Sequence, residues 1–453
     1  QGEVDICNMK QSPLWDGDFE SRLRAADVVL VTNMGVGLDS PFLERLERWL
    51  YAHHPKYWID VVEPKKTDIL YRNMDEDKRI LLESYRRTSG VMNYVRLING
   101  ALSTEPVSEW EQPDPIPWQA IMGRSGNIYK TYDEFMDAEG HRDWPSIAVY
   151  FYRDEWIMGD IAYQQALFEE IYKHQYNPII FYGQYGSNPR VGIPNMKLSM
   201  NYLFGKDVFP FDVLINTCKF SFQSLGAQTL EELKLQDIPI VQGYTIYMDE
   251  KSWADNPQGV TPLDVNLSIS QPELDGVIHG GVVACQTFDE QGHYMYLPVK
   301  ERIAAIVQRA IKWSKLRHIP VTERKVAIIL HNYPPKNSNI GSAAGLDTPE
   351  SVLRLLRQMQ AEGYSIDSVP DTSAALMDVV TSHMTNDRSM LTDELLASAE
   401  GRMSSDDYRA YFATLPADTQ AAMIKSWGEA PGDVFVYDDE VIIPGFANGN
   451  LWI

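Results

Sequence analysis

Short apolar runs rich in Val, Ile and Tyr alternate with amphipathic helical patterns along the chain. This order of elements is typical of parallel β-sheets that are covered by helices on both faces. The clearest strand-like runs are ADVVLVT, SIAVYFY, FDVLINT and IPIVQGY, at residues 26–32, 146–152, 211–217 and 238–244. The sequence therefore predicts an α/β protein with several Rossmann-like or flavodoxin-like parallel-sheet units and helical insertions.

The length of 453 residues predicts more than one hydrophobic core, because single cores rarely grow beyond about 250–300 residues. A stretch with four prolines, at 103–118, indicates the first boundary. The predicted parts are an N-terminal α/β domain, a connecting segment, a central Rossmann-like domain and the start of a further α/β domain, at 1–103, 104–145, 146–323 and 324–453. Since the sequence begins without Met and stops in a strand-like run, we expect a fragment of a longer protein, truncated in its last domain.

Composition excludes several classes of function. The formal net charge of -23 would repel phosphate backbones, so no nucleic-acid partner is expected. The chain contains no P-loop motif, and we expect it to bind no nucleotide. No apolar run approaches the roughly 18 residues of a membrane-spanning helix. Cys7, Cys218 and Cys285 form no CxxC pair, which argues against a disulfide framework and a structural zinc site.

The first candidate site is the loop HNYPPKNSNIGSAAGLDTPE, which follows a strand-like run at 325–330. Its Gly, Asn and Ser residues leave backbone N–H groups accessible, and Asp347 begins a helix whose N-terminal dipole favours negative charge. The loop could therefore hold an anion or a carboxylate. The alternative is a well-capped turn, with Gly present for its positive φ and Pro for its fixed φ.

The second candidate is the segment SQPELDGVIHGGVV, in which Glu273, Asp275 and His279 lie within seven residues, beside three glycines. A carboxylate and an imidazole could bind a divalent metal or transfer protons, and the glycines permit close approach of a flat ligand. The alternative is a connection between elements, with solvated polar side chains.

Two further candidates are YRDEW, at 152–156, and GQYGSNPRVG, at 183–192. Their alternatives are an ion pair that caps the next helix and a long surface loop. All four candidates are expected to come just after a predicted strand. Because the carboxyl ends of parallel strands meet at one edge of a sheet, we expect the four segments to share one cleft.

Together, these motifs resemble the large subunit of the class I tetrapyrrole chelatases. The similar segments are the HNYPP loop with GLDTPESVLRLLRQMQAEGY, QPELDG, YRDEWIMGD, and RMSSDDYRAYFATLPADTQAAMIKSWGEAPG with GFANGNLWI. The motif NYP followed by GLDTP is more similar to the cobaltochelatase (CobN-type) branch than to the magnesium chelatase H subunit. The resemblance covers about 140–453, and the first 140 residues match only loosely.

The resemblance implies a chelatase subunit that binds a tetrapyrrole (a corrinoid precursor, porphyrin or haem) and a divalent metal, cobalt or iron. Separate AAA+ ATPase and integrin-type subunits would be its partners and would hydrolyse ATP. It also implies a catalytic and metal-binding role for Glu273, His279 and His331. The tetrapyrrole-binding residues that it implies are Arg153, Glu155, Asn332, Tyr333, Asn339, Gly341 and Gly345.

Two departures from the family pattern bear on the metal. Magnesium-chelatase relatives tend to carry Glu at the position of His279 and an apolar or aromatic residue at that of His331, and imidazole favours cobalt, iron or zinc. The expected function is thus ATP-dependent insertion of cobalt into a corrin-type ring, as in cobalamin biosynthesis, by a ligase that forms nitrogen–metal bonds in the cytoplasm. One alternative is a periplasmic CobN-like protein that removes iron from haem in bacterial haem uptake. Another is a tetrapyrrole-binding protein without catalysis.

Overall fold

The computed structural model describes residues 15–34, 41–53, 57–62, 70–72, 76–183, 194–205, 208–222, 227–288 and 294–453. Contacts divide the chain into two compact units, Gln1–Ile311 and Lys312–Ile453. Helices and strands alternate in both units, which confirms the predicted α/β class.

The amino-terminal part of the first unit is a small sheet with helices around it. Its strands are β1 (Val29–Met34), β2 (Tyr57–Val62) and β3 (Leu70–Arg72), and its helices are α1 (Gly17–Ala25), α2 (Pro41–His53), α3 (Glu76–Thr88) and α4 (Val91–Leu102). β2 lies in the middle, parallel to β1 and antiparallel to β3. A local core, which includes Leu23 of α1, Val31 of β1 and Leu50 of α2, holds this part together.

The centre of the first unit is an eight-stranded sheet. Its strands are β4 (Ala120–Met122), β5 (Ile128–Tyr129), β6 (Ser146–Tyr152), β7 (Asn177–Gly183), β8 (Val213–Asn216), β9 (Ile240–Ile246), β10 (Ile278–Phe288) and β11 (Tyr294–Pro298). They lie in the order β11-β10-β9-β8-β6-β7-β4-β5. The strands from β10 to β7 are parallel, and antiparallel strands complete the sheet at both edges.

The parallel strands β6, β7, β8 and β9 are covered on both faces, which explains their largely apolar sequences. Every residue of β7 and all but the last residue of β6 are buried. Strands buried on both faces show no alternation of polar and apolar residues. The helices of this part are α5 (Tyr132–Ala138), α6 (Arg153–Met158), α7 (Ala162–Lys173), α8 (Met196–Phe204), α9 (Ala227–Leu235), α10 (Glu250–Ala254), α11 (Pro262–Asp264) and α12 (Gln271–Glu273).

The structure differs from the sequence prediction in the segment 104–145. This segment, predicted as a connection, contributes β4, β5 and α5 to the first unit. β4 pairs with β7, and its three residues are fully buried. Strands of two or three residues are too short to show a periodicity, so nothing in the local sequence marks them.

The division between the units falls within α13 (Lys300–His318). The second unit contains two three-stranded sheets, in the orders β12-β17-β16 and β13-β15-β14. The strands are β12 (Val326–Ala327), β13 (Gly401–Ser404), β14 (Val436–Tyr437), β15 (Glu440–Ile443), β16 (Ala447–Asn448) and β17 (Leu451–Trp452). The helices are α14 (Thr348–Ala361), α15 (Ser373–Ser382), α16 (Asp393–Ser398), α17 (Ser405–Phe412) and α18 (Ala417–Trp427).

In the run predicted as a strand at 325–330, only Val326 and Ala327 are in register with residues of β17, and the Ile328 N–H donates to the Trp452 carbonyl at 2.7 Å. Ile328 and Leu330 pack, with Val326, against the core of the second unit. This alternation produces the apolar pattern, and the strand is short because β17 offers no partner for the residues after Ile328. Within the described part of the chain, no helix combines the length and the apolarity needed to cross a membrane.

Candidate functional site

A row of polar side chains crosses three strands of the central sheet. His279 of β10 is in register with Gln242 of β9, which is in register with Asn216 of β8. Asn216 Nδ2 donates to Gln242 Oε1 at 2.8 Å, and Gln242 Nε2 donates to the Cys218 carbonyl at 2.8 Å. Side chains in register on parallel strands point to one face of the sheet. His279 therefore extends a buried polar row, and its own side chain is exposed.

Two glycines directly after His279 determine the backbone conformation of β10 at this point. A Cβ atom on Gly280 would lie 2.3 Å from the carbonyl oxygen of Gln242, so no larger residue fits there. Gly281 has a φ of 153°, and the register shifts between His279 and Gly281. This irregularity is a β-bulge, a feature that redirects side chains near functional sites. Arg309 Nη1 also donates to the His279 carbonyl, which holds the backbone at this point.

His279 and Glu273 line one open pocket, whose volume is about 220 Å³ including solvent at its mouth. The lining residues are Gln242, Ser268, Ile269, Pro272, Glu273, Val277 and His279. One wall is the helical segment 262–273, in which a π-helical turn, Val265–Ser270, joins α11 to α12. Ser268 is completely buried, and its Oγ has no hydrogen-bond partner among the described residues. Such turns are frequent at functional sites, and a buried polar atom without a partner is rare in folded proteins.

Asp275 connects the pocket wall to the loop 217–222, which follows β8. Its carboxylate accepts hydrogen bonds from Ser221 Oγ at 2.7 Å and from the backbone N–H of Phe222 at 2.5 Å. The N–H of Phe220 donates to the Leu267 carbonyl at 2.6 Å. Asp275 therefore holds the loop against the segment 262–273, and its oxygens are occupied by these bonds.

Lys219, in the same loop, is a buried cation that the sequence did not reveal. Its Nζ lies 3.5 Å from Asp264 Oδ1 and 3.3 Å from the centre of the Tyr247 ring. Burial lowers the pKa of Lys219 to about 8, although the Asp264 carboxylate acts in the opposite direction. A lysine after an apolar strand normally indicates a surface turn, so only the packing of Asp264 and Tyr247 shows this burial.

Arg153 and Glu155, predicted to bind a tetrapyrrole, have partners inside the first unit. Arg153 is 1% exposed, and its Nε and Nη2 donate to the carbonyls of Thr88, Ile116 and Pro117 at 2.8–3.2 Å. Glu155 Oε2 accepts bonds from the Tyr163 hydroxyl at 2.6 Å and from Gln164 Nε2 at 2.7 Å. Burial raises the pKa of Glu155 to about 8. These hydrogen bonds join both side chains to neighbouring residues of the first unit. They do not support the predicted contacts with a tetrapyrrole.

In the second unit, the loop after Leu330 leaves His331 and Tyr333 exposed. Other predicted site residues hold the loop in place. Asn332 Nδ2 donates to Asn386 Oδ1 at 2.5 Å, and Asn339 Nδ2 donates to the Pro334 carbonyl at 2.9 Å.

The backbone of the same loop is closed by a bond from the Gly341 N–H to the His331 carbonyl at 2.7 Å. Gly341 and Gly345 have φ values of 78° and 75°, which glycine adopts without strain. Asp347 accepts a bond from the Glu350 N–H at 3.0 Å and so caps α14, as predicted. The glycines therefore shape the turn, while His331 and Tyr333 are the side chains accessible to a ligand.

One shared cleft was expected because each of the four segments should follow a strand, and this is wrong for the segment of Glu273 and His279. Glu273 ends the helical segment 262–273, and His279 is the second residue of β10, so this segment lies before and at the start of a strand. Apart from Gly183, the segment 183–192 lies outside the described residues. Within the described residues of each unit, no three His, Cys, Asp or Glu side chains form a group able to hold a metal ion. A complete ligand set of Glu273, His279 and His331 would need residues of both units and stays a prediction.

Comparison with known proteins gives consistent matches. The uncharacterized protein MJ0908 of Methanocaldococcus jannaschii is 32% identical over 404 residues, which cover 84% of this chain and 32% of that protein. The aerobic cobaltochelatase subunit CobN of Pseudomonas aeruginosa is 27% identical over 360 residues, or 76% of this chain and 27% of that protein. The catalytic subunit of cobaltochelatase from Mycobacterium tuberculosis shares the fold, with a TM-score of 0.57 and 24% identity over 97% of this chain and 36% of that one.

This chain spans about a third of the length of these relatives. Residues 83–453 match the family model described as CobN/Magnesium Chelatase. The match includes the segments around Glu273, His279 and His331, whose motifs indicated this family in the sequence. The chain belongs to the CobN/Magnesium Chelatase family.

Proposed function

We propose that this chain is part of the tetrapyrrole- and metal-binding subunit of a chelatase, and that it inserts cobalt into a corrin-type ring. The observation that carries the proposal is the pocket that Glu273 and His279 line together, with the buried Ser268 hydroxyl beside them. Family membership supports chelation as the reaction. ATP hydrolysis is assigned to separate AAA+ and integrin-type subunits, and the cytoplasm is the corresponding location.

The reaction requires two protons to leave the ring nitrogens while a partly desolvated cation approaches them. Glu273, which is exposed at the end of α12, is proposed to accept a proton or to contact the cation. The His279 imidazole is a ligand suited to cobalt, iron or zinc more than to magnesium. His331 is proposed as a further ligand, and the exposed Tyr333 ring as a contact for the macrocycle.

Removal of iron from haem, in the periplasm, is the second candidate function. The exposed imidazoles of His279 and His331 favour it equally, since iron shares the preference of cobalt for nitrogen ligands. Tighter binding of haem than of a metal-free corrinoid would favour this reaction over cobalt insertion. Spectral binding without turnover, in the presence of ATP and the partner subunits, would instead indicate a non-catalytic binding protein.

Replacement of His279 by alanine tests the site. We expect His279→Ala to lower the affinity for cobalt at least tenfold, about 1.4 kcal/mol, because an imidazole ligand is lost. The measurement is calorimetric titration of the chain and of the variant with Co²⁺.

The same exchange should change the melting temperature by only about 3 °C or less, because the His279 side chain is exposed. The matched control is His318→Ala, which removes an exposed imidazole that does not line the pocket. A His279→Ala protein that melts far lower and binds cobalt normally would make His279 a structural residue.

A further inference from the structure

Two asparagines of the loop after Leu330 bind a distant segment of the second unit, 385–387, which we call the loop clamp. Asn332 Nδ2 donates to Asn386 Oδ1 at 2.5 Å. Asn337 is bound twice, because its N–H donates to Asp387 Oδ2 at 2.9 Å and its Oδ1 accepts from the Thr385 hydroxyl at 2.6 Å. The loop is thus attached to the clamp at both Asn332 and Asn337.

These two attachments lie on either side of Tyr333. The Tyr333 residue is 76% exposed, and His331, also exposed, directly precedes the first attachment. The His331 carbonyl in turn accepts a bond from the Gly341 N–H at 2.7 Å. A backbone that is held at both ends of a short span has few conformations open to it. The clamp therefore fixes the backbone from which the His331 and Tyr333 side chains project.

Asp387 is the centre of the loop clamp. Its residue is only 6% exposed, and its carboxylate accepts three hydrogen bonds. Oδ2 accepts from the Asn337 N–H, while Oδ1 accepts from the Ser389 N–H at 3.0 Å and from the Ser389 hydroxyl at 2.6 Å. The bonds from Ser389 and Asn337 lower the pKa of the Asp387 carboxyl, so it accepts them as an anion. One buried carboxylate thus joins the loop to the turn at 387–390.

The loop clamp is itself fixed to the interior of the second unit. Met384, the residue before it, is buried in a core that includes Ala399 and Ile442. The Met384 carbonyl accepts a bond from the Gly445 N–H at 2.8 Å. The position of the loop is therefore set by packed residues of the second unit, through the clamp.

We propose that Asp387 is a positioning residue for tetrapyrrole binding, which holds His331 and Tyr333 in the arrangement that meets the ligand. This inference rests on the proposed function, in which His331 is a metal ligand and Tyr333 contacts the macrocycle. A loop that is ordered before binding loses less conformational entropy when the ligand arrives. Asp387 thereby raises the affinity without touching the ligand.

The test titrates the 453-residue chain with the zinc complex of deuteroporphyrin IX, whose Soret band shifts when an imidazole binds the zinc. We expect Asp387→Ala to weaken binding roughly tenfold, because the loop must then be ordered by the ligand. The Soret shift should decrease, and the backbone amides of 332–341 should exchange hydrogen faster. Thr385→Val removes one bond of the clamp and should change all three measurements less, in the same direction.

The control for lost stability is Thr372→Ala. The Thr372 hydroxyl accepts a bond from the Ala375 N–H at 3.1 Å and caps α15, so this variant should also melt lower. Its porphyrin affinity and the hydrogen exchange of 332–341 should nevertheless equal those of the unchanged chain. If Thr372→Ala weakens binding as much as Asp387→Ala does, the effect is one of stability, and the positioning role is refuted.

The outcomes separate this inference from the proposed function. If the unchanged chain does not bind the porphyrin, or if His331→Ala and Tyr333→Ala bind it normally, the proposed role of the loop fails, and this inference fails with it. If those two variants bind weakly while Asp387→Ala and Thr385→Val bind normally, only the positioning role is overturned. If Asp387→Ala does not fold, Thr385→Val decides, with weakened binding supporting the inference and normal binding refuting it.

Discussion

Arg153→Met is expected to lower the free energy of unfolding of the first unit by roughly 3 kcal/mol or more. The guanidinium donates to the carbonyls of Thr88, Ile116 and Pro117, and it lies 4.5 Å from the centre of the Trp118 ring. Each carbonyl left without a donor in the interior costs about 1–3 kcal/mol, which the added apolar contacts of methionine offset only in part. Urea unfolding monitored by circular dichroism measures the difference.

The control for this exchange is Arg124→Met. Arg124 forms a bidentate ion pair with Glu169, but both side chains are about half exposed. Exposed pairs contribute about 0–1 kcal/mol, so this variant should unfold almost as the unchanged chain does. Equal effects of the two exchanges would show that the carbonyl contacts of Arg153 do not hold the unit together. Arg153→Lys should be intermediate, because one ammonium cannot reproduce the forked geometry.

Glu155→Gln is expected to stabilise the protein by roughly 3 kcal/mol at pH 7. The folded pKa of Glu155 is raised to about 8, from an ordinary value of 4.5, because the carboxyl is buried. Between these two pH values the folded state keeps a proton that the unfolded state releases, so stability falls as the pH rises. A glutamine remains neutral at every pH, and its amide oxygen can still accept from Tyr163 and Gln164.

The measurement compares unfolding free energies between pH 5 and pH 8. The gain of Glu155→Gln should be small at pH 5 and should grow toward pH 8. Lys219 acts in a separate window, since its lowered pKa of about 8 makes stability rise only above that pH. The matched control is Glu169→Gln, at a half-exposed position, which should change the unfolding free energy by no more than about 1 kcal/mol. An identical profile for Glu155→Gln and the unchanged chain would contradict the burial of this carboxyl.

The sequence predicted those features that depend on neighbouring residues. The apolar runs of β6, β8 and β9 indicated buried parallel strands, because both faces of such strands must be apolar. Asp347 and Pro349 indicated the start of α14, since capping involves residues within one helical turn. The motifs QPELDG and HNYPP indicated the family, to which residues 83–453 belong.

Contacts between distant segments decided the rest. Arg153 reaches the carbonyl of Thr88, Lys219 pairs with Asp264, and β4 joins β7, although each pair is separated by more than 40 residues. Local periodicity predicts which side of a helix or strand is apolar. It does not predict which distant segment will pack against a charged side chain at the end of a strand. Whether a polar residue after a strand faces solvent, a ligand or the interior therefore depends on packing that only the tertiary structure determines.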